Sequence, residues 1–524
     1  MRISTAQFYQ NTAASYQRNL NNLLKTAEQA SSGIKLETAG DDPVGAARLL
    51  QLEQQSALLG QYNTNITALK TAQAQEESVL DSINTVLQKV SELAVRAGSI
   101  SLNDDDRMSI AAEVGQAEEQ LLSLMNSKDA AGNYLFSGAS NDVAPFSRNA
   151  DGTYSYNGDQ SQLELKIGDS LSLGLNDSGW SVFQQAINSS RTATTLTAPA
   201  VDDGRVALSP GLVSSSPEFN SKFRGGEPYS LSFVSSTQFK ITDAAGNDVT
   251  AEASEGGTFD PKAKGGSDVT FRGMTFALDV TFQDSDIGAG EDAAIAGHSF
   301  QLSAKPDSFV SSRSPGNSST ALVTQTSVSN PSDYAGFFPE GGAVLKFTSA
   351  TTFELYASPL TSDSQPVSTG SVAGGVATAA GVSFSVSGTP VADDQFNISV
   401  NTHQTQNVLD TLSQFRQALE TPVQGDAAAQ RSFDSTVAST IANLGNAKSQ
   451  VDLTRGAIGA RGNVMDMQSD QNQSAGLINT STQSGIREAD PAEVLTRLTL
   501  QQTMLQAAQL AFSKISQLGL FNKL

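Results

Sequence analysis

A heptad seam runs almost unbroken from Leu52 to Ala97. One of its positions carries Leu52, Leu59, Ile66, Gln73, Leu80, Leu87 and Ala94. The position three residues on carries Gln55, Tyr62, Leu69, Glu76, Ile83, Val90 and Ala97. Apolar residues at both positions of a seven-residue repeat mark a helix that packs along another helix. A helix this long buries only one stripe and depends on a partner to cover it. The matching stripe lies far downstream, where Val437, Leu444, Val451, Ile458 and Met465 again recur every seven residues. Leu52, Leu59, Ile66, Leu80 and Leu87 are therefore the expected core with Val437, Leu444, Val451 and Ile458. Gln73 and Glu76 form a polar layer that either sets the register or marks where the stripe drifts to solvent. A chain that sends out one long helix and brings another back around a large insert is expected to be a helical rod with a head. That arrangement suits assembly better than catalysis.

Composition narrows the function. A chain of 524 residues is too long for one core, so several domains are expected. The formal net charge of −22 argues against nucleic acid, whose phosphates need Lys and Arg, and against anionic lipid. With no cysteine there are no disulfides, thiolate metal sites or cysteine nucleophiles. The segment Met1-Arg2-Ile3-Ser4-Thr5-Ala6-Gln7-Phe8 has no apolar core of a cleavable signal peptide, and no run approaches a membrane span. The two histidines, His298 and His403, have no metal-ligand neighbours at helical spacing, so surface or capping roles are expected. The pairs Asp202-Asp203 and Asp393-Asp394 read as solvated loops. Trp180 reads as a packing anchor. No phosphate-cradling loop or nucleophile elbow occurs, so neither a cofactor nor enzymatic activity is expected.

The fold class is multidomain α+β: a long antiparallel helical bundle built from both chain ends, with inserted all-β modules. Residues 1–40 form an N-terminal assembly helix, with Phe8, Tyr16, Leu20, Leu23 and Leu24 on a thin apolar stripe. Residues 41–190 hold the first half of the helical domain and a β-hairpin, with Asn157-Gly158 as its turn. Asp41 or Asp42 caps the long helix and Pro43 suits its first turn. Residues 403–485 form the second half of the helical domain. The last segment, 486–524, is a C-terminal assembly helix ending at Gly519. Val494, Leu498, Leu505, Ala508, Phe512 and Ile515 lie on its stripe, and nothing nearby in sequence is available to cover it.

Between the helical halves the chain repeats itself. Leu231-Ser-Phe233 to Phe239-Lys-Ile241 matches Leu345-Lys-Phe347 to Phe353-Glu-Leu355, an offset of 114 residues. Pro217 and Phe223 match Pro331 and Phe337 at the same offset. Downstream, Gly273-Met-Thr-Phe276 matches Gly381-Val-Ser-Phe384, and Phe300-Gln-Leu302 matches Phe396-Asn-Ile398. Four blocks in one order predict a duplicated β-module, over residues 195–310 and 311–402.

Two stretches resemble the flagellin superfamily. One is Ser31-Ser32-Gly33 through Gly40-Asp41-Asp42-Pro43-Val44-Gly45, in which Ser32, Gly33, Asp41, Asp42 and Pro43 carry the motif. The other is Ile486-Arg-Glu-Ala-Asp490-Pro491, followed by the Leu/Gln-rich run Leu500-Gln-Gln-Thr-Met504-Leu505. Gly132-Asn-Tyr-Leu-Phe-Ser-Gly138 is also similar to a hairpin of that family. The start Met1-Arg2-Ile3-Ser4-Thr5 and the form Asp41-Asp42-Pro43-Val44 resemble the branch that joins the flagellar hook to the filament. Flagellin usually carries Arg-Ile-Asn where this chain has Lys35-Leu36-Glu37. The resemblance implies an extracellular structural subunit, exported without a cleavable signal peptide and guarded by an export chaperone. Its implied partners are copies of itself, the other junction protein and flagellin, with no cofactor, nucleic acid or membrane. Bulk filament flagellin, or a flagellar subunit bearing an adhesive β-head, are the alternative readings.

Overall fold

The computed structural model describes residues 5–99, 102–263, 265–287, 290–314, 316–339, 341–361 and 363–521. Its long helices are α1 (Thr5–Ser32), α2 (Pro43–Ala97), α3 (Asp104–Met125), α4 (Val408–Glu420), α5 (Ala427–Arg487) and α6 (Pro491–Phe521). The chain forms two compact units. One comprises Met1–Ala74, Leu163–Leu175 and Ala457–Leu524, and the other Gln75–Gln162 and Asn176–Gly456. Long helices from both chain ends and an inserted β-region are the architecture that the two heptad stripes predict.

In the first unit the seam of α2 meets α5 and a small hairpin. Strands β3 (Glu164–Lys166) and β4 (Ser172–Gly174) pair with Leu165 opposite Leu173. Ile66, Leu69, Ile167 and Met465 are buried together, with Leu165, Leu171, Leu173 and Leu175 packed on them. The stripe of α5 continues past Met465 at the same spacing as Asn472 and Asn479, both buried. Asn472 Nδ2 donates to Ile167 O at 3.0 Å, and Asn479 Nδ2 to Leu52 O at 2.9 Å. Amides at seam positions leave no mark in a hydrophobic repeat, which only apolar residues define. Leu52 and Leu59 are half-buried.

In the second unit Leu80, Ile83, Leu87 and Val90 of α2 are fully buried, as are Val114 and Leu121 of α3 and Leu412 and Phe415 of α4. Val437, Leu444 and Val451 of α5 are buried too. Helix α3 starts in a capping box: Asp106 N donates to Asn103 Oδ1 at 2.8 Å, and Asn103 N to Asp106 Oδ2 at 3.3 Å. Strands β1 (Phe146–Arg148) and β2 (Tyr154–Tyr156) form the hairpin, but Asn157-Gly158 is not its turn. The chain reverses at residues 149–153, where Gly152 N donates to Asn149 O at 3.1 Å. Gly158 serves close approach instead, since a Cβ there would meet Tyr156 Oη at 2.5 Å. Gly132–Gly138 forms turns joined by the single bridge Lys128↔Tyr134 rather than a hairpin of strands. The turn Trp180–Gln184 is π-helical.

The β-region contains the duplication. Its first copy has β5 (Thr192–Ala198), β6 (Val206–Leu208), β7 (Leu212–Val213), β8 (Tyr229–Ser235), β9 (Gln238–Thr242), β10 (Ser267–Phe271), β11 (Met274–Val280) and β12 (Ser299–Ala304). The second has β13 (Ser308–Arg313), β14 (Leu322–Val328), β15 (Ala343–Phe347), β16 (Thr352–Ala357), β17 (Pro366–Ala373), β18 (Val376–Ala379), β19 (Val382–Ser387) and β20 (Gln395–Asn401). Leu231 pairs with Ile241 and Phe300, and Leu345 pairs in the same way with Leu355 and Phe396. The β10–β11 and β18–β19 hairpins both turn through a residue pair with positive φ, Arg272-Gly273 and Ala380-Gly381. Both glycine carbonyls accept two consecutive backbone amides, from Ser214 and Ser215 in one copy and Ser329 and Asn330 in the other. This register places Phe338, 8% exposed, where the first copy has buried Phe223. Phe337, the residue expected from the 114-residue offset, is 64% exposed. The second copy is one residue shorter between Phe338 and Leu345 than the first between Phe223 and Leu231, and the 114-residue offset holds only beyond that point. The copies also differ in closure. The first has two sheets, β5-β12-β8-β9 and β10-β11-β6 with β7 beside β11. In the second, β17 links the halves into one order, β13-β20-β15-β16-β17-β18-β19-β14. Its two end strands lie beside each other, with Ser311 Oγ donating to Val323 O at 2.6 Å, so the sheet is nearly closed.

Candidate assembly elements

The junction between α1 and α2 is built by the motif residues. Gly33 ends α1 with φ of +70°, and its N–H donates to Gln29 O at 3.0 Å. Ser32 Oγ donates to Glu37 Oε1 at 3.1 Å and accepts from Ile34 N at 3.2 Å. Asp42 is the cap of α2: its Oδ1 accepts from Val44 N at 3.1 Å and Gly45 N at 3.0 Å, with Pro43 in the first turn. Asp41 has a different task. Its Oδ2 accepts from Thr38 N at 2.9 Å and Thr38 Oγ1 at 3.1 Å, and its other oxygen pairs with Lys25 of α1. The Lys25 ammonium, and then the Thr38 amide, hold this carboxyl well below the usual carboxylate range.

The same loop is stitched to the end of α5. Lys35 N donates to Arg487 O at 2.7 Å, and Ala489 N donates to Gly33 O at 2.9 Å. Four segments of the first unit thus meet at one knot: the end of α1, the start of α2, the end of α5 and the start of α6.

Helix α6 does not stand alone. It lies along α1, where Gln509 Nε2 donates to Tyr16 Oη at 3.0 Å. On that side Val494 is buried, Leu505 is 9% exposed, and Leu498 and Ala508 are half-buried. Tyr16, Leu20 and Leu23 are half-buried on α1, and Leu24 is exposed. The stripe is covered from afar: α1 lies against it, with Tyr16 and Gln509 493 residues apart in sequence. Sequence reasoning missed this because neither thin stripe names its partner. The side chains of Phe8 and Ile515 lie outside the described residues. Helix α6 also continues through Gly519 to Phe521.

A second stripe on α6 remains exposed. Leu500, Met504, Ala507 and Ala511 recur at spacings of four, three and four, and Leu500 and Met504 are each 55% exposed. Residues at those spacings share a helix face. Phe512 is exposed as well.

Residues 3–141 match the bacterial flagellin N-terminal helical region, and residues 441–522 match the bacterial flagellin C-terminal helical region. The two matched regions stand in that order at opposite ends of the chain. At both ends the chain is similar to bacterial flagellins. Among its relatives is flagellar hook-associated protein 3 of Salmonella typhimurium, 31% identical over 183 residues, which are 35% of this chain and 57% of that protein. The protein of the same name from Escherichia coli is 32% identical over 183 residues, with the same shares. The chain thus spans just over half the length of these relatives. A solved structure, hook-associated protein-3 from Legionella pneumophila, has a TM-score of 0.51 at 18% identity. It covers 83% of this chain and 98% of that one. This likeness is one of fold.

Other residues singled out in the sequence have structural partners in this flagellin-like chain. His298 is buried, not at the surface, and its Nε2 lies 2.9 Å from Asp203 Oδ1. Asp394 is buried rather than solvated. It accepts from Val391 N at 2.9 Å and Ser318 N at 3.1 Å, and so ties a loop together. No group of three or more His, Asp or Glu residues placed to hold a metal occurs among the described residues. None of the described helices is long and apolar enough to cross a membrane.

Proposed function

We propose that this chain is a structural subunit of the bacterial flagellum that joins the hook to the filament and nucleates flagellin assembly. The observation that carries the reading is the pair of terminal helices. Helices α1 and α6 cover each other on one side, and α6 keeps a second apolar stripe, Leu500, Met504, Ala507 and Ala511, open to solvent. An open stripe of this kind is an association surface, and its occupant here is a neighbouring subunit. The relatives named hook-associated protein 3 support a place at the junction. The proposed partners are further copies of the chain, the other junction protein, flagellin and a cytoplasmic export chaperone. The work is structural and not enzymatic, and it is done outside the cell after export without a cleavable signal.

Locating a tagged copy along the flagellum tests this directly. The tag is expected in a short band at the distal end of the hook, and deletion of the gene is expected to leave hooks in place while flagellin is shed. A tag distributed along the filament, with purified subunits growing long filaments, would favour bulk flagellin and sink the junction reading.

A further inference from the structure

The second unit contains two cavities, of about 540 and 520 Å³, with Ser190, Lys305 and Gln414 in the walls of both. The smaller is also lined by Trp180, Asn407 and Asp410. Trp180 is 37% exposed, and its ring is braced by Tyr156 at 6.2 Å between centroids. Asn407 is 2% exposed. Its Oδ1 accepts from Leu409 N at 2.9 Å at the start of α4, while its Nδ2 has no hydrogen-bond partner. A buried donor left unpaired is unfavourable, so this amide calls for an acceptor from outside the fold. The remaining walls are mostly Ser, Thr, Asn and Gln, with His403 at one side.

This set of groups selects its ligand class. Neutral amides, hydroxyls and one carboxylate match the vicinal hydroxyls of a sugar ring, and an open indole face matches its apolar C–H side. A polyanion would need more cations than Lys305 supplies, since burial holds His403 below the usual imidazole range. An acyl chain would need an apolar lining. We propose that this groove binds a short neutral saccharide, with Trp180 as the stacking plate and Asn407, Asp410 and Gln414 hydrogen-bonding its hydroxyls. This site does not depend on the junction reading, because a subunit at any position of the flagellum would present it.

Trp180 is the only tryptophan in the sequence, so selectively excited indole emission reports this groove alone. The full chain is titrated with maltotetraose, chitotetraose and mannotetraose, and screened in parallel on an array of neutral and sialylated glycans. A saturable change in emission with a neutral probe, or retention on an arrayed neutral glycan, is expected. Gln414 is exposed on α4, so Gln414→Ala leaves the fold intact, which far-UV circular dichroism checks. That variant is expected to weaken binding by ~3–10-fold through the loss of one neutral hydrogen bond, and separately Asp410→Asn by a similar factor through the loss of the carboxylate's charge-assisted acceptance. The proposal fails if no neutral glycan gives saturable binding. It also fails if binding survives both substitutions, which would mean adventitious contact elsewhere, or if only sialylated glycans bind.

Discussion

Single residues show how the polar positions of the seam are used. Gln73 and Glu76 interrupt the stripe of α2, and both are buried rather than turned to solvent. Gln73 Nε2 donates to Gly174 O at 3.4 Å, and Glu76 Oε1 accepts from Asp177 N at 3.3 Å. Gln73 captures the last carbonyl of β4 and Glu76 an amide just beyond the strand, so the layer anchors that segment. Further along the seam Leu87 is fully buried. Leu87→Ala should cost about 2–5 kcal/mol through lost burial and the cavity left behind. A denaturant melt of the second unit with an unmoved midpoint would remove Leu87 from the core. Asp410 makes a pH-dependent contribution. Burial, opposed by the Tyr154 amide and reinforced by Asp151 and Glu118, pushes its carboxyl up to about 6. Its folded-state value lies above its unfolded one, so its stabilising effect is full below the unfolded value and is lost as pH rises through about 6. Asp410→Asn should therefore be more stable than the parent at pH 8 and lose that advantage on acidification to about pH 4. Parallel melts across this range check the sign, and a constant difference between the two proteins would contradict it. Nothing in the sequence marks Asp410, because its surroundings come from three separate segments.

At the scale of elements, the terminal helices make a contrast that can be measured. Leu505 sits on the covered side of α6 and Met504 on the open side, although they are adjacent in sequence. Leu505→Asp would place a charge in a buried contact, where it is strongly unfavourable. It is expected to loosen α1 from α6, with faster hydrogen exchange across Thr5–Ser32 of the monomer. Met504→Asp is expected to leave monomer exchange unchanged and to prevent the filament from staying on the hook. Cells carrying Met504→Asp that keep full-length filaments would show that the second stripe is not the association face. The apolar residues of both stripes were visible in the sequence, since helical spacing reveals which residues share a face. Which face was already occupied was not, because that depends on where a distant segment of chain comes to lie. Similarly, the β-modules were readable from repeated alternation, whereas the one-residue shift to Phe338 required the paired backbone around Gly273 and Gly381.

For the whole molecule, the insertion points of the β-region lie next to each other. Ile187 bridges Thr405, Asn188 N donates to Gln404 O at 2.9 Å, and Gln406 N donates to Ala186 O at 3.0 Å. Asn443 of α5 fastens the outgoing strand by accepting from Ser189 N at 2.7 Å. Replacing residues 192–401 with a short Gly/Ser bridge should therefore leave the helices folded, since loop closure there costs little. Far-UV circular dichroism would show retained helix with a cooperative melt. Loss of the helical signal would mean that the β-modules share a core with the helices. The periodic features are written in the local order of residues: helices at both chain ends, a seam repeating every seven residues, duplicated strands, and the Gly33 and Asp42 signals at the α1–α2 junction. These follow from local sterics, capping and the burial of one face, all of which act within a few residues of chain. Long-range packing set everything else. It set α1 against α6, carried the seam on through Asn472 and Asn479, closed the second module through β17, and gathered Trp180, Asn407 and Asp410 around one groove. Each of these depends on contacts between residues far apart in sequence, whose pairing is chosen by the packing of the assembled fold and not by any local preference.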